Sequence, residues 1–235
     1  DRENRKFLAG IALPAGIKVQ PELEEALARA DAATFVVPSQ ALRAVAGEVA
    51  RRGYTGLWVC ATKGLELVTL ERPTRILTET LGGEGVALGG PSHAEEVSRG
   101  VPTSVVAASD DEARAREVQR LFSTARFRVY TNTDVAGCEY GAALKNVIAI
   151  AAGVCDGLGY GDNTKGALLT RGLAEIARLG VALGGRRETF FGLTGMGDLI
   201  TTAISRHSRN RRVGEELGRG RPLADALRDL GQVAV

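Results

Sequence analysis

The stretch that decides the fold is GCEYGAALKNVIAIAAGVCDGLGYGDNTKGALLTRGLAEIARLG, residues 137–180. Its small and apolar residues predict two helices joined by a glycine-rich turn. Lys145 and Asn146 stand inside the first helix, where a packed core favours alanine or leucine. The residues three and four positions from Lys145 are small or apolar: Gly141, Ala142, Ile148 and Ala149. Two interpretations stay open, because the ammonium either snorkels to water or points into a cavity that a ligand fills.

The composition argues against a nucleic-acid-binding protein, a zinc protein and a membrane-spanning protein. The chain has 235 residues, 44% of them hydrophobic, and a net charge of +2 with acids and bases evenly mixed. No basic block is present, which argues against nucleic acid as the main partner. Cys60, Cys138 and Cys155 form no CxxC pair, and with two scattered histidines they predict no zinc site and reduced, cytoplasmic thiols. No apolar run reaches the ~18 residues of a membrane span, so no span is expected.

Residues 21–132 alternate helical and strand patterns. Short apolar runs separated by amphipathic segments predict a Rossmann-like α/β fold with a parallel, doubly wound sheet. The predicted strands are 33–38, 57–64, 86–92, 103–109 and 127–132. The sequence contains no GxGxxG loop, begins at Asp1 and ends in an apolar run at Val235. We interpret it as a longer chain cut at both ends, with the first βα unit missing.

Three predicted strand ends carry polar or glycine-rich segments: Pro38–Gln40, Thr62–Gly64 and Gly89–Glu95. Each has a structural interpretation alone, as a helix cap, a solvated lysine or a tight turn. Together they place a cation, hydroxyls and backbone N–H groups at one edge of the sheet. Ligands of parallel sheets bind at that edge, and these groups suit a nucleotide and a small anion.

After Thr133 the pattern is helical, which predicts a dinucleotide-binding domain at 1–132 and a helical substrate domain at 133–235. Asp198 follows Gly195 and Gly197. It is interpreted either as a helix cap or as a residue of the functional site. A basic run spans residues 206–212. Such runs are usually solvated helix faces, but Ser208–Asn210 opening a helix also offers a hydroxyl, a guanidinium and an amide to a phosphate monoester.

Several segments together carry a recognisable pattern. They are ENRKFLAGIALP, VVPSQALR, CATKGLE, GGPSHAEEV, the stretch from ALKN to ARLG, FFGLTGMGDLITT and HSRNRRVG. These segments occur from Asn4 to Val235 in the order found in one family, and the chain resembles bacterial NAD(P)-dependent glycerol-3-phosphate dehydrogenase. The resemblance implies reversible reduction of dihydroxyacetone phosphate to sn-glycerol 3-phosphate with NADH or NADPH, a supply of glycerol phosphate for phospholipid synthesis, a homodimer and a cytoplasmic location.

The resemblance also implies roles for individual residues. Lys145 is the expected proton donor or acceptor, with Lys63 and Asp198 beside it as further catalytic residues, and Thr202 is a weaker candidate. The expected substrate-binding residues are Lys63, Gly90, Ser92, Lys145, Asp198, Ser208, Arg209 and Asn210. The expected cofactor-binding residues are Phe7, Lys63, Ala94 and Arg209. No metal ligand is implied.

The chemistry requires Lys145 to act as an acid in reduction and as a neutral base in oxidation. Burial and a neighbouring Lys63 lower the pKa of such a lysine, whereas Asp198 raises it, and the sequence leaves the balance open. Two alternatives remain at this stage. One is a related two-domain dehydrogenase of the 3-hydroxyacid or 6-phosphogluconate type, and the other is a nucleotide-sensing module without catalytic activity.

Overall fold

A computed structural model describes residues 2–230. It contains five strands, all before Thr133: β1 (Ala32–Phe35), β2 (Leu57–Cys60), β3 (Val86–Gly89), β4 (Thr103–Ala108) and β5 (Phe127–Asn132). The helices among the strands are α1 (Leu23–Leu27), α2 (Ser39–Arg51), α3 (Pro73–Leu81), α4 (Ala94–Val97) and α5 (Glu112–Phe122). The helices that follow are α6 (Val135–Gly157), α7 (Asp162–Ala182), α8 (Arg187–Phe190), α9 (Asp198–Ile204), α10 (Arg209–Gly218) and α11 (Leu223–Leu230). A π-helical turn at Leu193–Gly197 precedes α9.

The five strands form one sheet in the order β1-β2-β3-β4-β5. The predicted α/β class is confirmed, and the pairs β1–β2, β2–β3 and β4–β5 are parallel. The prediction of an all-parallel sheet is wrong at one pair, because β4 runs antiparallel to β3, with Leu88 opposite Ala107. The reason is the connection, since residues 90–102 contain only the four-residue helix α4. Without a full crossover helix, the chain re-enters the sheet at the edge where it left.

Alternating strand residues pack against helices on both faces of the sheet. Trp58 and Cys60 join Leu42 of α2 and Ile76 of α3 in one buried cluster. On the other face Val59, Val86, Val105 and Val129 pack with Val118 of α5. The strand residues are apolar on both faces because both faces are covered.

Helix α6 is the central element of the helical part. Asp134 caps it by accepting a 2.8 Å hydrogen bond from the Gly137 N–H. Cys138 packs on the sheet with Ala87 and Val106, and the rest of the helix packs on α7, α9 and α10. By length and composition alone α6 meets the criterion for a membrane-spanning helix. It carries the buried charged side chains Glu139 and Lys145, and it is the core helix of this part of the fold.

A buried polar cluster ties α6 to α3. The Glu139 carboxylate accepts hydrogen bonds from the Thr74 N–H at 2.8 Å, the Thr74 hydroxyl at 2.5 Å and the Arg72 guanidinium at 2.7 Å. Burial raises the pKa of Glu139, while Arg72 and Thr74 act in the opposite direction. The sequence analysis did not single out this cluster, because its members lie 65 and 67 residues apart.

Candidate active site

Two lysines share one carboxylate where the sheet meets the helices. The Lys145 ammonium on α6 donates to Asp198 Oδ1 at 2.7 Å, and the Lys63 ammonium donates to Asp198 Oδ2 at 2.8 Å. Lys145 and Asp198 are almost fully buried, whereas the Lys63 side chain is 28% exposed. We call these three residues the lysine–aspartate centre. The interpretation that Lys145 snorkels to water is therefore wrong.

Small residues on α6 make this arrangement possible. A Cβ atom on Gly141 would lie 2.7 Å from the carbonyl oxygen of Thr194, in the π-helical turn. The turn therefore packs directly on the α6 backbone, one helical turn before Lys145. Within the turn Gly195 lies even closer to Phe190, where a Cβ would be 2.1 Å from the backbone oxygen. These contacts place Asp198, which begins α9, opposite the Lys145 ammonium.

Thr202 belongs to the same site. Its hydroxyl accepts a 2.7 Å hydrogen bond from Lys145 and donates one of 2.6 Å to the Asp198 carbonyl, one turn earlier on α9. Asp198 and Thr202 together take two of the three N–H groups of Lys145. Within residues 2–230 no other acceptor contacts this ammonium, so its third N–H is available to a ligand.

The carboxyl ends of β2 and β3 supply the remaining residues of this edge. The Thr62 hydroxyl donates to the Val37 carbonyl at 3.0 Å, which fixes the segment that carries Lys63. Lys63 also donates to the Gly90 carbonyl at 2.8 Å. Gly90 has φ +129°, and a Cβ there would lie 3.2 Å from Val105 Cα, so only glycine fits without strain. The predicted strand 86–92 ends at Gly89 because of this turn.

The charges of the centre set its acid–base properties. Burial and the nearby Lys63 lower the pKa of Lys145 to about 8, and Asp198 opposes the shift. Burial acts to raise the pKa of Asp198, but the two lysines outweigh it and the pKa lies below its usual value. The carboxylate is therefore ionised near neutral pH. With both lysines protonated the centre carries a net positive charge, which favours an anionic ligand.

The Ser208–Asn210 segment opens α10 on the other side of the centre. The buried Ser208 hydroxyl caps the helix, accepting a 3.2 Å hydrogen bond from the Arg211 N–H. Arg209 is exposed and Asn210 is half-buried. Arg211 makes two 2.7 Å contacts with Asp156 of α6, so this part of the basic run is a structural ion pair rather than a solvated face.

The remaining predicted residues lie at more exposed positions. The Ser92 hydroxyl donates to the Gly90 carbonyl at 3.2 Å and lies beside the centre. Ala94 is the exposed first residue of α4. Phe7 is 53% exposed, and the Lys6 ammonium lies 4.9 Å from its ring centroid. Hydrogen bonds thus join six of the predicted residues: Lys63, Gly90, Ser92, Lys145, Asp198 and Thr202. Phe7 and Ala94 take no part in these bonds.

One residue beside the centre had no role in the sequence analysis. His93 follows Ser92, and burial together with Lys145 lowers the pKa of its imidazole. Its position within GGPSHAE was the only signal that the sequence offered. Over the described residues, no group of three or more His, Cys, Asp or Glu side chains could hold a metal ion.

Comparison with known proteins supports the resemblance. The family models for the N-terminus and the C-terminus of NAD-dependent glycerol-3-phosphate dehydrogenase match residues 1–115 and 134–235. A glycerol-3-phosphate dehydrogenase [NAD(P)+] of Chlorobium limicola is 51% identical over all of this chain and 72% of its own length. The corresponding protein of Pelotomaculum thermopropionicum is 52% identical over 96% of this chain and 66% of its own length.

Solved structures of glycerol-3-phosphate dehydrogenases have the same fold as this chain. The crystal structure of glycerol-3-phosphate dehydrogenase from Coxiella burnetii superposes with a TM-score of 0.95 at 34% identity, covering 99% of this chain and 72% of that one. The yeast glycerol-3-phosphate dehydrogenase superposes with a TM-score of 0.85 at 29% identity, covering 99% and 70%. The chain belongs to the NAD-dependent glycerol-3-phosphate dehydrogenase family.

Proposed function

We propose that this protein catalyses the reversible reduction of dihydroxyacetone phosphate to sn-glycerol 3-phosphate with NAD(P)H. The observation that carries the proposal is the buried Lys145, bonded to Asp198 and Thr202 with one N–H left for a substrate oxygen. Family membership supports the same reaction and makes the related hydroxyacid and sugar-acid dehydrogenases the less favoured alternatives. The product is the glycerol phosphate that phospholipid synthesis consumes.

The substrate is a phosphate monoester, and we assign its binding to both sides of the centre. The net positive charge of Lys63, Lys145 and Asp198 attracts it. Arg209 and Asn210, at the start of α10, supply a guanidinium and an amide for the phosphate. Ser208 fixes the start of that helix, because its hydroxyl is engaged in the cap. Gly90 and Ser92 close the site at the end of β3.

Lys145 moves the proton. As hydride reaches the ketone carbon, negative charge develops on the oxygen, and a protonated Lys145 stabilises it and then donates its proton. In the reverse direction neutral Lys145 accepts the hydroxyl proton. A pKa of about 8 makes both forms accessible near neutral pH. Asp198 and Thr202 hold the amine at a fixed position, and Lys63 contributes charge rather than a proton.

The residues present fit a nicotinamide cofactor at the carboxyl edge of the sheet. At the carboxyl end of β2 the Lys63 side chain is 28% exposed, so its ammonium offers a cation to an anionic dinucleotide. We assign Ala94 and Arg209 to opposite sides of the cofactor and Phe7 to its nicotinamide end, with Lys63 nearby. When bound, NAD(P)H supplies the hydride.

The test is oxidation of NADH and of NADPH by the protein, each with and without dihydroxyacetone phosphate. Lys145→Met should reduce kcat by at least about 100-fold, because general acid–base catalysis contributes that much or more. Its affinity for the dinucleotide should be unchanged. Lys18→Met removes an exposed lysine and is the matched control. Near-normal turnover in Lys145→Met would refute the role of Lys145 in proton transfer. Activity only with a hydroxyacid or a sugar acid would show that dihydroxyacetone phosphate is not the substrate.

We further propose a homodimer in the cytoplasm, and two domains that divide near residue 133. The free cysteines Cys60, Cys138 and Cys155 support a reducing compartment. All described strands precede residue 133, and helices follow it, which supports the division. Light scattering after gel filtration tests the dimer, because a monomeric mass at micromolar concentration would exclude it.

A further inference from the structure

Two buried polar atoms lack a hydrogen-bond partner within residues 2–230: His93 Nε2 and Asn210 Oδ1. Asn210 is already among the proposed substrate residues. His93 has no assigned role, yet it lies at the end of the Gly90–Ser92 turn, on the sheet side of the same site. Buried polar atoms in native proteins nearly always have a partner, and leaving one without a partner is unfavourable. The unpaired His93 Nε2 therefore points to a bound ligand.

The surroundings of His93 place its ring beside the lysine–aspartate centre. Its charged neighbours come from every element around it: Lys63 after β2, Lys145 on α6, Asp198 on α9 and Glu95 on α4. The ring of His207, just before Ser208, has its centroid 6.2 Å from that of His93. The imidazole therefore lies between the lysine–aspartate centre and the start of α10. A substrate that spans these two groups passes His93.

None of these neighbours satisfies Nε2. The Lys63 ammonium donates to Asp198 and Gly90, and the Lys145 ammonium donates to Asp198 and Thr202. The Glu95 carboxylate makes no hydrogen bond to Nε2, and the Glu95 backbone carbonyl accepts one from Arg99 at 2.7 Å. The described part of the chain thus offers Nε2 no hydrogen-bond acceptor, although Lys63, Lys145 and the His207 imidazole lie nearby. An oxygen atom of a bound anion is the complementary group.

We propose that His93 is a further substrate-binding residue, whose Nε2–H donates a hydrogen bond to an oxygen of the bound triose phosphate. The proposal rests on the proposed function and adds a residue to it. Burial, Lys145 and Lys63 favour the neutral imidazole, while Glu95 and Asp198 act in the opposite direction. A neutral ring with hydrogen on Nε2 binds oxygen without adding a third cation to the centre. His93 thereby positions the substrate without taking part in proton transfer.

The first experiment compares His93→Phe with His93→Gln. Phenylalanine keeps a ring of similar size and removes Nε2, whereas glutamine places an amide N–H near the same position. His93→Phe should raise KM for dihydroxyacetone phosphate roughly three- to tenfold, the value of one hydrogen bond. The Kd for NADH should stay unchanged, and His93→Gln should recover most of the loss. His207→Phe is the matched control, because it removes the other imidazole and should leave KM unchanged.

A KM for His93→Phe within twofold of the parent would overturn the proposal, as would equal losses in the phenylalanine and glutamine variants. An inactive parent protein would instead refute the proposed function, so the two failures are distinguishable. A second measurement applies even where a variant folds poorly. The chain has two histidines, so imidazole 15N resonances are assignable with His207→Phe alone. Adding sn-glycerol 3-phosphate should shift the His93 Nε2 resonance, and an unchanged resonance at saturation would contradict direct contact.

Discussion

The contact between α6 and α10 makes a demanding prediction, because it is built from backbone rather than side chains. Glycines four residues apart face each other: Gly153 and Gly157 on α6, Gly214 and Gly218 on α10. A Cβ on Gly153 would lie 1.9 Å from the Arg211 carbonyl oxygen. Ordinary contact begins at about 3.4 Å, so the Gly153→Ala variant must separate the helices by about 1.5 Å. Since backbone cannot rotate away, the whole crossing must shift.

The cost follows from this geometry. Overpacking of a rigid site costs typically 1–3 kcal/mol, and we expect the upper end because the obstructing atom is a carbonyl oxygen. For a protein of this size, about 3 kcal/mol lowers Tm by roughly 6–12 °C. The displacement also moves Arg209 and Asn210, in the first turn of α10, relative to Lys145. A misplacement of this size reduces kcat/KM by up to about 100-fold.

Gly166→Ala is the matched control. Gly166 lies inside α7, and a Cβ there would have no atom within 4 Å. Alanine in an exposed helix is favoured over glycine by about 1 kcal/mol, so this variant should gain a few degrees in Tm and keep its KM. Thermal unfolding and steady-state kinetics of both variants decide the matter. If Gly153→Ala unfolds at the same temperature as Gly166→Ala, direct backbone contact between α6 and α10 is not what fixes the site.

Two further predictions concern buried charges. Lys145 must be neutral to accept a proton, and its pKa is about 8. The kcat/KM for glycerol 3-phosphate oxidation should therefore rise with pH along a curve whose midpoint is near 8, and the kcat/KM for reduction should fall over the same range. A midpoint near the ordinary lysine value would contradict the shift. Arg72→Met leaves the Glu139 carboxylate without its cation and should lower the free energy of unfolding by about 3 kcal/mol. The double variant Arg72→Met/Glu139→Gln should recover part of this lost stability. Urea unfolding measures both, and an Arg72→Met variant as stable as the parent would show that the ion pair contributes nothing.

The antiparallel β3–β4 pair shows where local sequence stops being sufficient. Apolar runs of four to six residues are typical of buried strands, whether parallel or antiparallel. The sequence therefore predicted the five strands but not the antiparallel direction of β4 relative to β3. Direction depends on whether the connection crosses a face of the sheet. Helix α4 is too short for that crossing, a fact visible only once the helix lengths are known.

The sequence by itself determined the order of the elements, the change from alternating to helical structure near residue 133, and the anomaly of Lys145 among small residues. These depend on neighbours within a few positions, where periodicity and residue size are direct signals. The resemblance placed Lys63 and Asp198 beside Lys145, but only the tertiary structure decided which hydrogen bonds Lys145 makes. Its partner Asp198 lies 53 residues away, and Lys63 reaches that carboxylate across 135 residues. The depressed pKa, the cap role of Ser208 and the unpaired His93 nitrogen arise from packing of distant segments, and no local pattern encodes such packing.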